Sequence, residues 1–190
     1  MKKILTRCSP PETAPDRIDR FPIYAVLENI RSLYNVGAMF RTADAVRVAS
    51  LHLCGITGRP PRKEIVKTAL GAQDTVPWEY FATGAESVRN LKSRGIQVWA
   101  VEQTSVSHGI WEAPLRFPVA FVFGYEIEGV DNATLAECDG AIEIPMFGYK
   151  GSLNVAAACS IVLYEALRQL SRSTETCIRS MCEKPLETDP

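Results

Sequence analysis

An arginine on a predicted helix, with an amide and a glycine at the start of that helix, forms the first candidate site. Residues 35–48 show helical periodicity, and one face is apolar: Val36, Met39, Phe40, Ala43 and Val46. Arg41, Gly37 and Asp44 fall roughly on the other side, and Asn35 stands where a predicted strand turns into the helix. Ligands usually bind at such carboxyl-end loops of α/β sheets. Arg41 is therefore a candidate for binding a polar or anionic group, and simple solvent exposure is the alternative.

A glycine-rich loop precedes a second helix near the end of the chain. The segment Gly148–Asn154 combines flexible backbone with a hydroxyl and an amide, and Ser152 is the predicted N-cap of a helix whose buried face spans 155–170. Free N–H groups at a helix N-terminus favour acceptor or anionic ligand groups. Ser152 and Asn154 are candidate binding residues, with capping alone as the alternative.

The segment Phe121–Val130 is a third candidate. Its apolar run ends at Gly124, which indicates a buried central strand opening into a loop that another group approaches closely. Glu126 stands at that opening. The alternative for Glu126 is an exposed acidic side chain, the commoner fate of a glutamate.

The charge distribution is uneven although the net charge is −1. Residues 1–70 hold twelve Lys and Arg against six Asp and Glu, whereas the remaining residues hold nine against sixteen. Basic side chains cluster around a proline-stiffened loop: Arg59, Arg62, Lys63 and Lys67. These residues are candidates for contacts with RNA phosphates, and a solvated surface loop is the alternative.

Apolar, β-rich runs alternate with helical patterns along the chain, which predicts a parallel sheet flanked by helices. The predicted strands are Ile23–Glu28, Ser50–Cys54, Ile96–Val101, Val119–Phe123 and Ala141–Ile144, with a further edge strand at Val76–Phe81 because of Pro77. Predicted helices cover 36–48, 62–70 and 84–94. We expect an N-terminal arm over 1–20, one domain over 21–170 and a polar tail over 171–190.

Several classes of protein do not fit this sequence. It has no run of 18 apolar residues, and its first residues are charged and rich in proline, so neither a membrane span nor a signal peptide is expected. The six cysteines form no C-x-x-C pair, which predicts reduced thiols and no metal site. Neither of the two common glycine-rich nucleotide-binding motifs occurs, which argues against a generic doubly wound nucleotide-binding enzyme.

Taken in order, the three segments resemble the motifs of the SPOUT superfamily, and within it the TrmH-like (SpoU) RNA ribose 2′-O-methyltransferases. The motifs read Asn35-x-Gly37-x-x-x-Arg41-Thr42-Ala43, then Phe123-Gly124-Tyr125-Glu126-x-x-Gly129, then Ile144-Pro145-Met146 followed by Ser152-Leu153-Asn154-Val155-Ala156. The resemblance covers roughly residues 22–170. Tyr125 departs from it, since many members have a small or amide residue there, and so does Ala156, where serine is frequent.

The resemblance implies a SPOUT-type α/β fold with a C-terminal deep trefoil knot, and a homodimer whose active site is shared between subunits. The cytoplasmic location is expected from the reduced cysteines and the start of the chain, which is not built like a signal peptide. It also implies S-adenosyl-L-methionine as the cofactor and the 2′-hydroxyl of an RNA ribose as the acceptor. The implied catalytic residues are Arg41, Asn35, Glu126, Ser152 and Asn154. The implied cofactor-binding residues are Phe123, Gly124, Glu126, Gly129, Ile144, Met146, Leu153 and Asn154.

The RNA substrate is expected to be tRNA in the first place and rRNA in the second. The basic first third of the chain supplies the expected RNA contacts: Arg31, Arg41, Arg59, Arg62, Lys63 and Lys67. A catalytically inactive RNA-binding protein of the same fold is the alternative. The joint presence of Asn35, Arg41, Glu126 and Asn154 argues against that alternative.

Overall fold

The computed structural model describes residues 20–125 and 127–173, and strands and helices alternate along these ranges. The strands are β1 (Phe21–Glu28), β2 (Val48–Cys54), β3 (Trp78–Phe81), β4 (Gln97–Val101), β5 (His108–Gly109), β6 (Val119–Phe123) and β7 (Gly140–Glu143). The helices are α1 (Leu33–Val46), α2 (Lys63–Ala69), α3 (Ala72–Thr75), α4 (Gly84–Ser93), α5 (Asn132–Glu137) and α6 (Val155–Ser173).

The strands form one parallel sheet in the order β3-β2-β1-β6-β4-β7-β5. Every residue of the central strand β6 is buried. A strand covered by helices on both faces needs no polar alternation, which explains the continuous apolar run. The predicted fold class, a parallel α/β sheet flanked by helices, is confirmed.

Two apolar clusters cover the two faces of the sheet. In β1, Ala25 and Leu27 point to the face that packs against α1, α2 and α6, whereas Val26 points to the face covered by α4 and α5. Successive side chains of a strand alternate between faces, so one strand contributes to both clusters. This packing leaves the loops at the strand ends free to form a site.

The predicted elements match the observed ones apart from shifts at their ends. Strand β3 is the outermost strand, as Pro77 indicates, and the Pro77 carbonyl accepts a hydrogen bond from the Leu51 N–H at 2.9 Å. The prediction missed α3, β5 and α5, which contain only four, two and six residues. Segments this short hold too few residues for a periodic pattern to be recognised.

Helix α1 begins and ends earlier than predicted. Ser32 is its N-cap, with the hydroxyl accepting from the Asn35 N–H at 3.3 Å, so Asn35 lies in the first helical turn. Arg47 adopts a left-handed conformation with φ of 56°, which ends the helix, and Val48 starts β2. The assignment of Val48 to the helix is therefore wrong.

The placement of Gly37 on the polar side of α1 is also wrong. Gly37 is buried, and a Cβ atom at this position would overlap the Thr68 hydroxyl and the Ile65 carbonyl of α2. Gly37 therefore allows α1 and α2 to approach closely. Periodicity assigned it to the polar side because the pattern of one helix does not show where a second helix packs.

The chain ends are only partly described. Helix α6 continues to Ser173, beyond the predicted boundary at residue 170. The expected arm up to residue 19 and the tail from residue 174 lie outside the described residues, as do Cys8, Cys177 and Cys182. None of the helices within the described ranges is long and apolar enough to cross a membrane.

The described cysteines are free thiols. Cys54 and Cys159 are buried and Cys138 is half-buried. Burial raises the pKa of Cys54 and of Cys138 to about 12, and it raises the pKa of Cys159 as well. A thiol reacts as its thiolate, so we expect these three side chains to be inert.

His52 is fully buried in the middle of β2. Its ring stacks on Phe81 with centroids 4.6 Å apart, and its Nδ1 is 2.7 Å from the Ser87 hydroxyl. Burial, assisted by the charge of Arg94, lowers the pKa of His52 from 6.5 to about 4. The imidazole is therefore neutral in the folded protein at physiological pH.

This burial predicts a loss of stability in mild acid. Between about pH 6.5 and pH 4 the unfolded chain protonates His52 and the folded protein does not, so unfolding becomes more favourable as the pH falls. We expect His52 to lower the free energy of unfolding by about 3 kcal/mol between neutral pH and pH 4. Urea unfolding of the wild type and of His52→Phe at both pH values measures this effect. Equal losses in the two proteins would contradict the assignment to His52.

Candidate active site

Three loops at the carboxyl edge of the sheet enclose a cavity of about 330 Å³. The loops follow β4, β6 and β7, which are neighbours in the sheet. Parallel strands end at the same edge, so loops far apart in sequence meet there. The wall is formed by residues 101–103, 123–125, 127–129, 142–144, 146, 151–153, 155 and 158.

Most of the predicted cofactor-binding residues lie in the wall of this cavity. They are Phe123, Gly124, Gly129, Ile144, Met146 and Leu153. Ser152 lines the same cavity, and Asn154 directly follows the lining residue Leu153. Glu126 lies outside the described residues.

The loop after β6 is a tight turn that depends on two glycines. The Tyr125 N–H donates to the Gly129 carbonyl at 3.0 Å, and the Gly129 N–H donates to the Tyr125 carbonyl at 2.8 Å. Gly129 has a φ of 75°, a conformation that glycine adopts readily. A Cβ atom on Gly124 would overlap the backbone of Gly129 and Val130. The turn therefore brings backbone close to any ligand in the cavity.

Glu28 forms hydrogen bonds to the residues at which this loop ends and α5 begins. The side chain is buried at the end of β1, and its carboxylate accepts from the Asp131 N–H at 3.1 Å and the Thr134 hydroxyl at 2.6 Å. The same carboxylate accepts from the Gly84 N–H at 3.2 Å. These donors come from the N-terminal regions of α4 and α5, where anionic groups are favoured.

Sequence reasoning missed Glu102 and Gln103, which connect all three loops. Glu102 accepts from the Val130 N–H and from the Gln103 N–H, both at 3.0 Å, and the Gln103 amide donates to the Gly151 carbonyl at 3.0 Å. The pair thus ties the loop after β4 to the loops after β6 and β7. Both residues follow β4 directly, and the rule that singles out polar residues at carboxyl strand ends could have identified them.

Carboxylates give the cavity a negative character. Glu102, Glu128 and Glu143 all contribute to its wall, and Glu143 also accepts from the Ser107 hydroxyl at 2.7 Å. No lysine or arginine is part of the wall formed by the described residues. A positively charged ligand is therefore favoured over a negatively charged one.

Asn154, rather than Ser152, caps α6. Its Oδ1 accepts from the Ala156 N–H at 2.9 Å and the Ala157 N–H at 3.4 Å, so the prediction of Ser152 as the N-cap is wrong. The Asn154 amide nitrogen donates to Asn35 Oδ1 at 3.2 Å. This contact brings together two predicted site residues that are 119 positions apart, and it joins the starts of α1 and α6.

Arg41 does not line this cavity in its own chain. It is exposed and lines a separate groove between α1, α2 and α6, together with Ala38, Thr42, Ala45, Lys67, Thr68 and Tyr164. The Thr42 hydroxyl is 2.9 Å from the Ser160 hydroxyl, and this hydrogen bond connects α1 to α6. No carboxylate in the described ranges forms an ion pair with Arg41. Its guanidinium is available to an anionic ligand.

The remaining basic residues lie in three places. Lys67 shares the groove of Arg41, and its Nζ lies 6.0 Å from the Tyr34 ring centroid. Arg31 lies over the Tyr125 ring at 4.6 Å, beside the cavity. Arg59 and Arg62 line another groove after β2, next to Lys63, the first residue of α2.

Together, these features of the sheet and the cavity define a class of protein. A parallel α/β sheet carries a cavity of loops at its carboxyl edge, walled by backbone, apolar side chains and carboxylates, with basic side chains beside it. This combination fits a protein that binds a small cationic cofactor and a larger anionic partner.

Residues 22–164 match the model of the SpoU rRNA Methylase family, so the chain belongs to this family. It is 37% identical over 149 residues to the 23S rRNA (guanosine-2′-O-)-methyltransferase RlmB of Vibrio parahaemolyticus, covering 78% of this chain and 60% of that protein. It is 38% identical over 144 residues to the tRNA (guanosine(18)-2′-O)-methyltransferase of Thermus thermophilus, covering 76% and 73%. The chain thus spans only about 60% of the length of the first of these relatives.

Solved structures show the same fold. The TrmH/SpoU tRNA modifying enzyme of A. aeolicus is 28% identical with a TM-score of 0.74, and the match covers 87% of each chain. The SpoU methyltransferase AviRb of Streptomyces viridochromogenes in complex with AdoMet is 26% identical with a TM-score of 0.72, covering 84% of this chain and 63% of that one. The family prediction is confirmed.

Proposed function

We propose that this protein methylates a ribose 2′-hydroxyl of RNA with S-adenosyl-L-methionine as the methyl donor. The observation that supports the proposal most directly is the three-loop cavity in a domain of the SpoU family. Curated relatives methylate 23S rRNA or tRNA at a guanosine ribose, according to their names. We propose tRNA as the first substrate to test and rRNA as the second.

The cavity fits the cofactor in size, shape and charge. Its volume of about 330 Å³ lies in the range of small-molecule sites, and apolar walls from Ile144, Met146 and Leu153 suit an adenine ring. Gly124 and Gly129 also line the cavity, and we assign the methionine moiety to this side of it. The carboxylates of Glu102, Glu128 and Glu143 favour a sulfonium cation. Glu126 is proposed to complete this loop.

When bound, the cofactor would supply an activated methyl group: the ribose oxygen forms a bond to the methyl carbon as the bond from that carbon to sulfur breaks, S-adenosylhomocysteine leaves, and the hydroxyl proton passes to water. The protein must then hold the 2′-oxygen in line and stabilise the negative charge that develops on it. We assign this task to Arg41, whose guanidinium stays charged and can bind an adjacent RNA phosphate at the same time. Asn35 and Asn154, joined by their hydrogen bond, position the reacting groups at the starts of α1 and α6. Ser152 lines the cavity beside them.

A homodimer would bring Arg41 to the cavity of a partner subunit. In a single chain, the groove that Arg41 lines and the three-loop cavity have no lining residue in common. Tyr164 of α6 lines the groove of Arg41 and is 52% exposed, and Ile161 of the same helix is 39% exposed. Such apolar exposure is typical of an interface. We propose that α1 and α6 form the dimer contact, and that the C-terminal segment forms the trefoil knot of this family.

Two segments of the chain carry no proposed catalytic residue: the arm over 1–20 and the tail after α6. We propose that these segments flank the methyltransferase domain and assist in selecting RNA. A cytoplasmic location follows from the proposed substrates. The basic set of Arg31, Arg59, Arg62, Lys63 and Lys67 is proposed to bind phosphates of the RNA.

Transfer of labelled methyl groups from the cofactor to RNA tests this function. Bulk tRNA and bulk rRNA from a strain that lacks the gene should accept label, and nuclease digestion should recover it as a 2′-O-methylated nucleoside. Mapping of methylated riboses in cells with and without the gene identifies the position. Binding of RNA without transfer to either pool would favour the catalytically inactive alternative.

A further inference from the structure

The groove after β2 combines cationic and aromatic side chains. It has a volume of about 450 Å³ and is lined by Gly55, Ile56, Thr57, Gly58, Arg59, Pro60, Pro61, Arg62 and Trp78. The stretch 55–63 contains three basic residues and no acidic one. Ile56 is 62% exposed at its rim. The groove is therefore suited to a ligand that carries both negative charge and a flat apolar surface.

An arginine and a tyrosine form a stack at one side of this groove. The Arg59 guanidinium lies 4.2 Å from the centroid of the Tyr80 ring. Tyr80 lies on β3, the edge strand, and is 43% exposed, while Trp78 on the same strand is half-buried in the groove wall. Guanidinium and aromatic planes are the two kinds of protein surface on which nucleic-acid bases stack.

The position of this stack relates it to the cavity. Arg59 follows β2 and Tyr80 lies near the end of β3, so both are at the carboxyl edge of the sheet, where the cavity also lies. Strand β1 separates the two sites, and the loop after β1 carries Arg31, which lies over Tyr125 at 4.6 Å. Two arginine–tyrosine pairs thus follow one edge of the sheet, leading away from the proposed site of methyl transfer.

We propose that the Arg59–Tyr80 stack and the groove beside it bind a nucleotide of the RNA substrate that flanks the methylated one. The base would stack on the outer side of the Arg59–Tyr80 pair, and Arg62 would contact a phosphate. A protein partner is less favoured because the groove has a concentration of positive charge, which matches a phosphate backbone. This inference rests on the proposed function, since it names a subsite of the same RNA complex.

Binding of fluorescein-labelled bulk tRNA and bulk rRNA fragments to tyrosine variants tests the stack. Tyr80→Ala should weaken RNA binding by about five- to a hundredfold, because each base–aromatic stack contributes on that scale. Tyr80→Phe keeps the ring and should bind like the wild type. Tyr80→Leu fills similar space without a ring, so it should show the same loss as alanine because stacking needs the ring. Wild-type binding by Tyr80→Leu would overturn the stack and attribute the alanine loss to a disturbed edge strand. Binding of S-adenosylmethionine should be unchanged in all three.

Arginine variants distinguish a specific contact at this site from a general effect of positive charge on RNA binding. Arg59→Ala should weaken RNA binding, and Arg62→Ala should reduce its salt dependence by about one phosphate contact. Arg94→Ala is the matched control, because Arg94 also lies over a tyrosine, Tyr24, at 5.3 Å, but precedes β4 at the opposite edge of the sheet. It should bind RNA like the wild type.

The outcomes distinguish the two proposals. Suppose that the wild type transfers methyl groups to RNA, and that Tyr80→Ala and Tyr80→Leu bind this RNA as tightly as the wild type does. The proposed stacking subsite would then be wrong, and the proposed function would stand. Equal losses for Arg59→Ala and Arg94→Ala would also overturn the subsite, since only net charge would matter. A wild type that neither binds nor methylates either RNA pool overturns the proposed function itself.

Discussion

Replacing Arg41 with alanine is expected to lower the rate of methyl transfer by about a hundred- to a thousandfold. Loss of one positioned group that stabilises developing negative charge has an effect of this size in enzymes. Arg41 is exposed, and its proposed contacts are the ribose oxygen and an RNA phosphate rather than the methyl donor, so the folded structure and the affinity for the donor should not change. Single-turnover transfer at saturating cofactor measures the rate, and calorimetry measures cofactor binding.

Arg41→Lys is the matched variant for this prediction. Lysine keeps the positive charge but lacks the planar fork that can contact the ribose oxygen and a phosphate together. We expect it to remain well below the wild type in turnover while binding RNA better than Arg41→Ala. Wild-type turnover in Arg41→Lys would show that an oriented guanidinium is not required.

The second large effect is expected for Gly124→Ala. The added Cβ would overlap the backbone of Gly129 and Val130, which a rotamer change cannot relieve. Strain of about 3 kcal/mol from such overpacking would weaken cofactor binding by about a hundredfold if it opens the turn. Titration of S-adenosylmethionine into the purified variant measures the loss.

Gly148→Ala provides the control for this substitution. Gly148 is exposed in the loop before α6, and a Cβ atom there meets no atom within 4 Å. The same chemical change should therefore leave cofactor affinity at the wild-type value. If Gly124→Ala bound the cofactor as tightly as Gly148→Ala, the tight turn after β6 would not be part of the binding site.

The two large-effect variants together test the shared active site. A dimer of one Arg41→Ala subunit and one Gly124→Ala subunit has one intact cavity that faces one intact arginine. Mixing equal amounts with subunit exchange should recover about a quarter of wild-type activity, since half of randomly assembled dimers contain one working site of two. No recovery would favour self-contained subunits.

Some features of the structure could be predicted correctly from the local sequence pattern alone. Arg41 lies on the exposed side of α1, as its predicted position opposite five apolar residues indicated, because an amphipathic helix has one buried stripe. The buried strand β6 followed from its unbroken apolar run, and the edge position of β3 followed from Pro77. In each case the information lies within a few neighbouring residues.

Other residues could be placed only by the folded chain. Ser152 and Asn154 are both good N-cap residues, and only the backbone geometry selects Asn154. Gly37 is buried because α2 packs against it, and Glu102 becomes important because the turn after β6 comes within hydrogen-bonding distance. These assignments depend on contacts between segments that are distant in sequence.

The amino-acid sequence by itself determined the alternation of strands and helices, the parallel sheet and the family motifs, because periodic burial and motif spacing are local properties. The tertiary structure decided which loops meet, since that depends on the strand order β6-β4-β7. It brought Asn35 to Asn154 and Glu102 to Val130, and it separated Arg41 from the cavity of its own chain. Contacts across such separations arise from packing, which no single segment encodes.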